Sequence, residues 1–145
     1  MKLYVRIPVY ARIYMSAEFK SIGYVSVTAA EIPRHWSVSE VEGRLVIDPQ
    51  YQTGLKDIEP GQRLVVLFHF HRSPGFTPER LVQQPPHRDA RLGVFSICSP
   101  VRPNPLGMSV VRVLSINDNV ITVKGIDMLD GTPILDLKPY IIDPE

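Results

Sequence analysis

The stretch MSVVRVLSINDNVITVKGI, residues 108–126, decides the fold. Residues 108–116 and residues 120–126 each predict a strand. Asn117, Asp118 and Asn119 join the two halves, and Asn and Asp tolerate the positive φ of a tight turn. The stretch therefore predicts an antiparallel β-hairpin.

Further short strands are predicted on both sides of this hairpin. Residues 63–71, RLVVLFHFH, are apolar on both parities before His69 and His71, which indicates a buried strand. Residues 20–27 form a second predicted strand, in which Gly23 marks a bulge or a close approach of two backbones. Residues 44–47 and a segment after the turn at Asp130-Gly131 predict two more strands.

Helix is predicted to be sparse. The 14 prolines among 145 residues are nearly twice the typical share of about 5%, which disfavours long helices; residues 51–58 predict a turn with one or two helical turns. Six or more short strands with little helix favour an all-β barrel or sandwich. The length favours a single domain over residues 1–145. Residues 3–15 alternate strictly and predict a strand within an N-terminal extension over residues 1–18.

Charge and cysteine content limit the location and the partners. The single cysteine, Cys98, excludes an internal disulfide framework and agrees with a reducing cytoplasm, where we expect the protein. No window approaches 18 uninterrupted apolar residues, so no membrane insertion is expected. The net charge is only +1, but residues 72–102 hold five arginines against Glu79 and Asp89. Nucleic-acid binding would therefore depend on this local excess of positive charge.

The segment before the hairpin, GVFSICSPVRPNPLGMSVV at residues 93–111, predicts a rigid loop. Each proline fixes its own φ and pushes the preceding residue towards extended backbone. Arg102 and Asn104 lie between Pro100, Pro103 and Pro105, which makes them candidates for a preorganised polar pair that faces a ligand. The alternative, an ordinary proline-rich surface loop, stays open.

Other segments also have two interpretations. The irregular loop over residues 31–42 is a candidate substrate-side loop, and we expect its Trp36 to be a partly buried packing anchor. His69 and His71 could ligate a metal, but no cysteine or carboxylate accompanies them at a suitable spacing, so we predict no metal site. Residues 127–140 predict either a solvated turn with a last strand that closes the sheet, or a ligand loop.

The motifs GVFSICSPVRPNPLGMSVV and DMLDGTPILDLKPY, with Pro33-Arg34 and the strand end FHFHRS, resemble the TrmO/TsaA-like family of tRNA adenine methyltransferases. The resemblance implies a mainly β, antiparallel barrel, a homodimer, and S-adenosylmethionine as the cofactor. It implies methylation of the exocyclic nitrogen of threonylcarbamoyl-adenosine beside the anticodon of threonine tRNA. The tRNA anticodon arm is then the expected partner.

The family motifs also imply roles for individual residues. Cofactor binding is assigned to residues from four motifs: Pro33, Arg34, His35, His71, Arg72, Met108, Leu129, Asp130, Gly131 and Thr132. Arg102 and Asn104 are expected to shape the catalytic pocket. Asp136 is the candidate that accepts a proton or hydrogen bond near the acceptor nitrogen, and a structural ion pair beside the last strand is the alternative.

The chain also departs from the family pattern. Ile97 and Cys98 stand where the family usually has Thr-Arg, and Val101 stands where His is frequent. Without that arginine the loop lacks a guanidinium that could pair bidentately with a phosphate or carboxylate. A catalytically weakened cofactor-binding or RNA-binding module of the same fold is therefore the alternative function.

Overall fold

The computed structural model describes residues 16–142 of the 145-residue chain. In this part of the chain six antiparallel strands close into a barrel, and the helical turns are all of the 3-10 type. The prediction of a mainly β, antiparallel barrel with little helix is confirmed. The predicted strand over residues 3–15, and with it most of the N-terminal extension, lies outside the described residues.

Six of the strands form the barrel, and two short strands form a separate ribbon. The strands are β1 (Gly23–Ser26), β2 (Glu42–Ile47), β3 (Arg63–His69), β4 (Val82–Gln83), β5 (Leu92–Gly93), β6 (Leu106–Asn117), β7 (Val120–Lys124) and β8 (Pro133–Pro139). Around the barrel the order is β1, β2, β7, β6, β3, β8, and the pairing of β8 with β1 closes the ring. β8 is the predicted last strand.

Among the strands of residues 16–142, β6 is the longest, with 12 residues, and it lies between β7 and β3 in the barrel. On one edge it pairs with β7, which confirms the predicted hairpin. Asp118 in the hairpin turn has a φ of 53°, the left-handed conformation that the turn prediction requires. On the other edge β6 pairs with β3, where Val65 lies opposite Val110.

The barrel interior is filled by the alternate side chains that the strand patterns predict. On β3, Leu64, Val66 and Phe68 are buried, whereas Val65 and Leu67 between them are only partly buried. The buried core cluster consists of aliphatic residues, one phenylalanine and one methionine: Val25, Val27, Leu45, Ile47, Leu55, Leu64, Val66, Phe68, Val111, Val113, Ile121, Val123, Ile126, Met128 and Ile134.

β3 is shorter than the predicted strand over residues 63–71. It ends at His69: the backbone N–H of Phe70 still donates to the carbonyl oxygen of Pro105 at 2.8 Å, but Pro105 has no N–H to return, and the N–H of His71 donates to the carbonyl oxygen of His69 at 2.8 Å. The chain therefore leaves the ladder one residue after His69 and turns towards the proline-containing loop before β6.

The segments between the barrel strands contain some regular secondary structure. The predicted helical turns near residues 51–58 are present as a 3-10 helix over Pro49–Leu55. Residues 72–91 contain a 3-10 helix over Pro78–Leu81 and strand β4, which pairs with β5. That ribbon has two residues on each strand, which is too short for a period-two pattern to predict.

β1 occupies the middle of the predicted strand over residues 20–27. It ends before Val27, whose N–H donates to the carboxylate of Asp130 instead of to a neighbouring strand. Gly23 is a point of close approach, as predicted: a Cβ atom on Gly23 would lie 2.2 Å from the carbonyl oxygen of Val46 on β2. The backbones of β1 and β2 therefore require a residue without a side chain here.

We expect Gly23→Ala to lower the free energy of unfolding by about 1–3 kcal/mol, because β1 must move away from backbone atoms that cannot yield. Urea denaturation followed by circular dichroism measures the change. Gly54→Ala is the matched control, since no atom lies within 4 Å of a Cβ added there. Equal unfolding midpoints for the two variants would contradict the close approach.

Candidate functional site

One end of the barrel carries a cleft with a volume of about 660 Å³. Four segments form it: the loop at residues 32–36, the end of β3 through residue 74, the loop from residue 97 to the start of β6, and residues 127–132 before β8. Antiparallel pairing of β3 with β6 places the end of one strand beside the start of the other. The lining is mostly apolar with a few polar groups, as small-molecule sites usually are.

The proline loop, residues 97–105, is held by hydrogen bonds as well as by its prolines. Nη1 of Arg102 donates to the carbonyl oxygens of Ile97 at 3.0 Å and Ser99 at 3.3 Å. From outside the loop, Ser73 Oγ donates to the Pro100 carbonyl at 3.0 Å. The loop therefore forms a fixed wall of the cleft.

The structure separates the predicted polar pair of the proline loop. Arg102 is half-buried and lines the cleft. Asn104 is exposed and is not among the lining residues; its carbonyl oxygen accepts a hydrogen bond from the N–H of Leu106 at 2.7 Å. Proline spacing fixes the backbone at both positions, but it does not decide which side chain points into the cleft.

The loop at residues 32–36 brings Pro33, Arg34, His35 and Trp36 to the cleft. His35 caps the 3-10 helix over Trp36–Val38, because its Nδ1 accepts a hydrogen bond from the N–H of Ser37 at 3.2 Å. A neutral His35 ring therefore carries its proton on Nε2. Trp36 is half-buried, as predicted, and its ring lies 5.0 Å from the His35 ring.

Asp127 is a functional candidate that the sequence reasoning missed. Its carboxylate accepts a hydrogen bond from the hydroxyl of Ser109, which is fully buried on β6. Burial raises the pKa of Asp127, and the Ser109 hydrogen bond, the nearby backbone N–H of Trp36 and His35 oppose that rise only in part. The signal in the sequence is an acid directly between Ile126 and Met128, which are both buried.

The cleft is otherwise basic. Asp127 is the one acidic side chain among the lining residues of the described chain, and the basic side chains that line the cleft with it are Arg34, His35, His71, Arg72 and Arg102. Of the two histidines on the predicted strand, only His71 reaches the cleft. Within residues 16–142 no three metal-binding side chains cluster.

The Leu129–Thr132 segment divides between the cleft and the barrel. Leu129 and Thr132 line the cleft, and the Thr132 hydroxyl donates to the Leu129 carbonyl at 2.6 Å. Asp130 and Gly131 are not lining residues. Asp130 accepts the N–H of Val27 at 3.0 Å, and Gly131 has a φ of 79°, so both form the turn that presents their neighbours.

Asp136 lies outside the cleft. Its side chain pairs with Nζ of Lys138 at 2.9 Å, which is the ion pair expected under the alternative interpretation. A register shift between Leu67 and Phe68 places Ile134 opposite the inward Phe68 but Asp136 opposite the outward Leu67. Strict alternation from the buried Ile134 would have turned Asp136 inward; the bulge turns it outward.

The three departures from the family pattern all fall on the cleft. Ile97, Cys98 and Val101 are lining residues, and Cys98 is an exposed free thiol. Met108, a predicted cofactor contact, lies at the start of β6 and is 54% exposed. The wall around the proline loop is therefore largely apolar, and Arg102 is its charged side chain.

A model of the tRNA-methyltransferase O N-terminal domain family matches residues 25–144. A probable S-adenosyl-L-methionine-binding protein of Pyrococcus abyssi is 38% identical over 105 residues, which cover 72% of this chain and 55% of that protein. A tRNA (adenine(37)-N6)-methyltransferase of Mus musculus is 38% identical over 89 residues, 61% of this chain and 21% of the mouse protein.

The crystal structure of TrmO from Pseudomonas aeruginosa has a similar fold. It superimposes with a TM-score of 0.69 and 32% identity, over 88% of this chain and 57% of that one. The chain thus spans little more than half the length of the Pyrococcus and Pseudomonas proteins. None of the helical segments within residues 16–142 has the length and apolarity that a bilayer-spanning helix requires.

Proposed function

The chain belongs to the family of the tRNA-methyltransferase O N-terminal domain, and we propose on that basis that it methylates tRNA with S-adenosylmethionine as the methyl donor. The proposed acceptor is the exocyclic nitrogen of threonylcarbamoyl-adenosine next to the anticodon of threonine tRNA. The similarity to a tRNA (adenine(37)-N6)-methyltransferase supports the reaction class, and a cytoplasmic location fits a tRNA substrate.

The observation that carries this proposal is the cleft at the end of the barrel. Its volume of about 660 Å³ lies within the range of small-molecule sites, and its apolar lining with a few charged groups fits a cofactor with an aromatic base and a charged amino-acid end. Arg34, Arg72 and Arg102 offer guanidinium groups to a carboxylate. Met108 and Leu129 offer exposed apolar contacts.

The proposed cofactor-binding set follows from the family motifs and from these positions. Pro33, Arg34, His35, His71, Arg72, Met108, Leu129 and Thr132 would contact the cofactor directly, because they line the cleft. Asp130 and Gly131 would act by holding the turn that presents Leu129 and Thr132. When bound, the cofactor supplies an electrophilic methyl group on a positively charged sulfur.

The protein's contribution would be mainly positioning and the exclusion of water, because displacement at a sulfonium methyl needs no covalent enzyme intermediate. Arg102 would maintain the wall through its bonds to Ile97 and Ser99. Asn104 would support the same loop from its exposed side, since its carbonyl fixes Leu106. Asp136 is still our proposed proton acceptor, and Asp136→Asn in a methylation assay tests that role.

A second candidate function is a cofactor-binding or RNA-binding module with weakened catalysis. The observation in its favour is that Ile97, Cys98 and Val101 line the cleft, so the departures from the family pattern lie where ligands would bind. Calorimetry with S-adenosylmethionine beside a methylation assay distinguishes the two functions. Binding without turnover would favour the module.

We expect Arg102→Ala to lower methyl incorporation into threonine tRNA at least about tenfold, because the loop loses charge-assisted hydrogen bonds that are each worth about 1.5–3 kcal/mol. Transfer of radiolabel from S-adenosylmethionine to tRNA measures the effect. Arg44→Ala on β2, exposed and away from the cleft, is the control. Equal rates for Arg102→Ala and the wild type would exclude the role assigned to Arg102.

The anticodon arm would bind along the basic segment at residues 72–102. Arg72, Arg80, Arg88 and Arg91 are exposed there, in the connection that joins the end of β3 to the proline loop. Exposed arginines that pair with phosphates release counterions, so such binding weakens as salt rises. The position of the segment beside the cleft supports its use for RNA.

In filter-binding assays with threonine tRNA, we expect the double variant Arg80→Ala, Arg88→Ala to bind more weakly than the wild type. Its plot of log K against log salt should be less steep, by about 0.7–0.9 for each phosphate that no longer pairs with an arginine. The charge-matched control is Arg44→Ala with Lys56→Ala, both exposed on the barrel. An identical decrease in the control would show that only the net charge matters.

We also propose a homodimer, formed through the outer face of β3, β6 and β8. Leu106 and Met108 on β6 are 46% and 54% exposed, and they lie opposite His69 and Leu67 of β3. Asp136 belongs to the same outer face, so a dimer contact there would bring it to the neighbouring chain.

Light scattering at micromolar concentration should give twice the 16.4 kDa mass of one chain. Met108→Glu should shift the measured mass towards that of one chain, because it places a charge in the apolar contact. A wild-type mass of one chain would contradict the proposed dimer.

A further inference from the structure

We propose that Asp127 gives the cleft its preference for the positively charged methyl donor over the uncharged product of methyl transfer. The inference rests on the proposed function, because it concerns the same cleft and cofactor. Transfer of the methyl group converts a sulfonium to a neutral thioether, and the acceptor nitrogen releases a proton. The ligand therefore loses one positive charge during the reaction. A fixed carboxylate in the cleft would attract the charged ligand more strongly than the neutral one.

Asp127 lines the cleft, and its carboxylate has hydrogen-bond acceptor positions that the protein does not use. An ionised carboxylate offers about four acceptor positions. The Ser109 hydroxyl occupies one of these, which orients the group and leaves the others for a ligand. Within the described residues, the ion pairs join Lys124 to Glu40 and Lys138 to Asp136, and neither involves Asp127.

The surroundings make the charge of Asp127 effective. Ile126 and Met128 beside it are 0% and 2% exposed, so water screens this carboxylate less than it screens one on the surface. Asp127 also lies among residues that the family motifs assign to the cofactor, since His35 acts on it electrostatically and Leu129 follows two residues later. A bound sulfonium would therefore interact with the carboxylate through a poorly screened environment.

The remaining charges in the cleft are positive and fit the other end of the same ligand. The basic groups come from three of the four segments: Arg34 and His35 from the first loop, His71 and Arg72 from the end of β3, and Arg102 from the proline loop. These groups suit a ligand carboxylate, which is present both before and after methyl transfer. Among the cleft-lining side chains of residues 16–142, Asp127 alone has the sign of charge that distinguishes the two forms of the ligand.

The preference should depend on pH in a defined direction. Only ionised Asp127 attracts a cation, and burial raises the pKa of this carboxyl. The ratio of the dissociation constants for S-adenosylhomocysteine and S-adenosylmethionine should therefore increase as pH rises through that pKa. The amino and carboxyl groups of the two ligands and the basic side chains of the cleft, Arg34, His35, His71, Arg72 and Arg102, are the same in both complexes, so their effects largely cancel in the ratio.

Calorimetric titration of the wild type and Asp127→Asn with both ligands tests the proposal. Asparagine has nearly the same shape and keeps an acceptor oxygen for the Ser109 hydroxyl, but it carries no charge. We expect Asp127→Asn to reduce the wild-type ratio at pH 7.5 at least about tenfold. Asp118→Asn in the hairpin turn, exposed and distant from the cleft, is the matched control and should leave the ratio unchanged.

The free energy of unfolding also distinguishes the proposed role of Asp127 from a purely structural one. The two roles predict changes of opposite sign for Asp127→Asn. Because its pKa is raised in the folded state, ionised Asp127 opposes folding above the pH at which it titrates in the unfolded chain. Asp127→Asn should therefore gain stability relative to the wild type as pH rises through the raised pKa. A less stable Asp127→Asn with an unchanged ligand ratio would show that the carboxylate is structural and overturn the proposal.

Two further experimental outcomes distinguish failure of the role proposed for Asp127 from failure of the proposed function. A wild-type protein that binds neither ligand would contradict the proposed function itself. A wild type that binds both ligands, with a ratio that stays constant from pH 4 to pH 8, would overturn the role of Asp127 alone, and that measurement needs no variant.

Discussion

The antiparallel pairing of β3 with β6 is the contact on which the cleft depends. It places the end of β3, with His71 and Arg72 just beyond it, beside the proline loop that precedes β6. Gly107 on β6 lies opposite Phe68 on β3, and its lack of a side chain leaves room for the Phe68 ring. A Cβ atom on Gly107 would lie 2.2 Å from Cζ of Phe68. Phe68 meets Phe70 edge-on, with ring centroids 5.0 Å apart, and both rings line the cleft.

Local patterns predict most of the barrel, because alternation decides which side chains face inward once the strands pair. The hairpin turn at Asp118 and the close approach at Gly23 could both be predicted from residue type and position. The face occupied by Asp136 could not be predicted, because it depends on a bulge in the long-range pairing of β8 with β3. Asp127 was missed for a different reason: it lies three residues after β7, where the strand pattern ends, and the register that pairs Arg112 with Lys124 in the β6–β7 hairpin carries it to Ser109.

The proline loop shows what a preorganised wall requires. Its prolines restrict the backbone, but the Arg102 guanidinium is directed back to the carbonyl oxygens of Ile97 and Ser99. A side chain used in this way supports the site more than it recognises a ligand. Because Cys98 replaces the usual arginine in the same loop, recognition of an anionic group would depend more on the other guanidinium groups, those of Arg34 and Arg72.

The position of Asp127 raises a question that packing alone does not answer. An asparagine could accept the hydrogen bond from Ser109 without the free-energy cost of placing a charge beside the buried residues Ile126 and Met128. Side chains that oppose folding are most often retained where function needs them. The proposed role gives this charge a function, because Asp127 lines the cleft where the ligand would bind. A ligand that is positive before the reaction and neutral after it is the kind of partner for which a carboxylate is worth more than an amide.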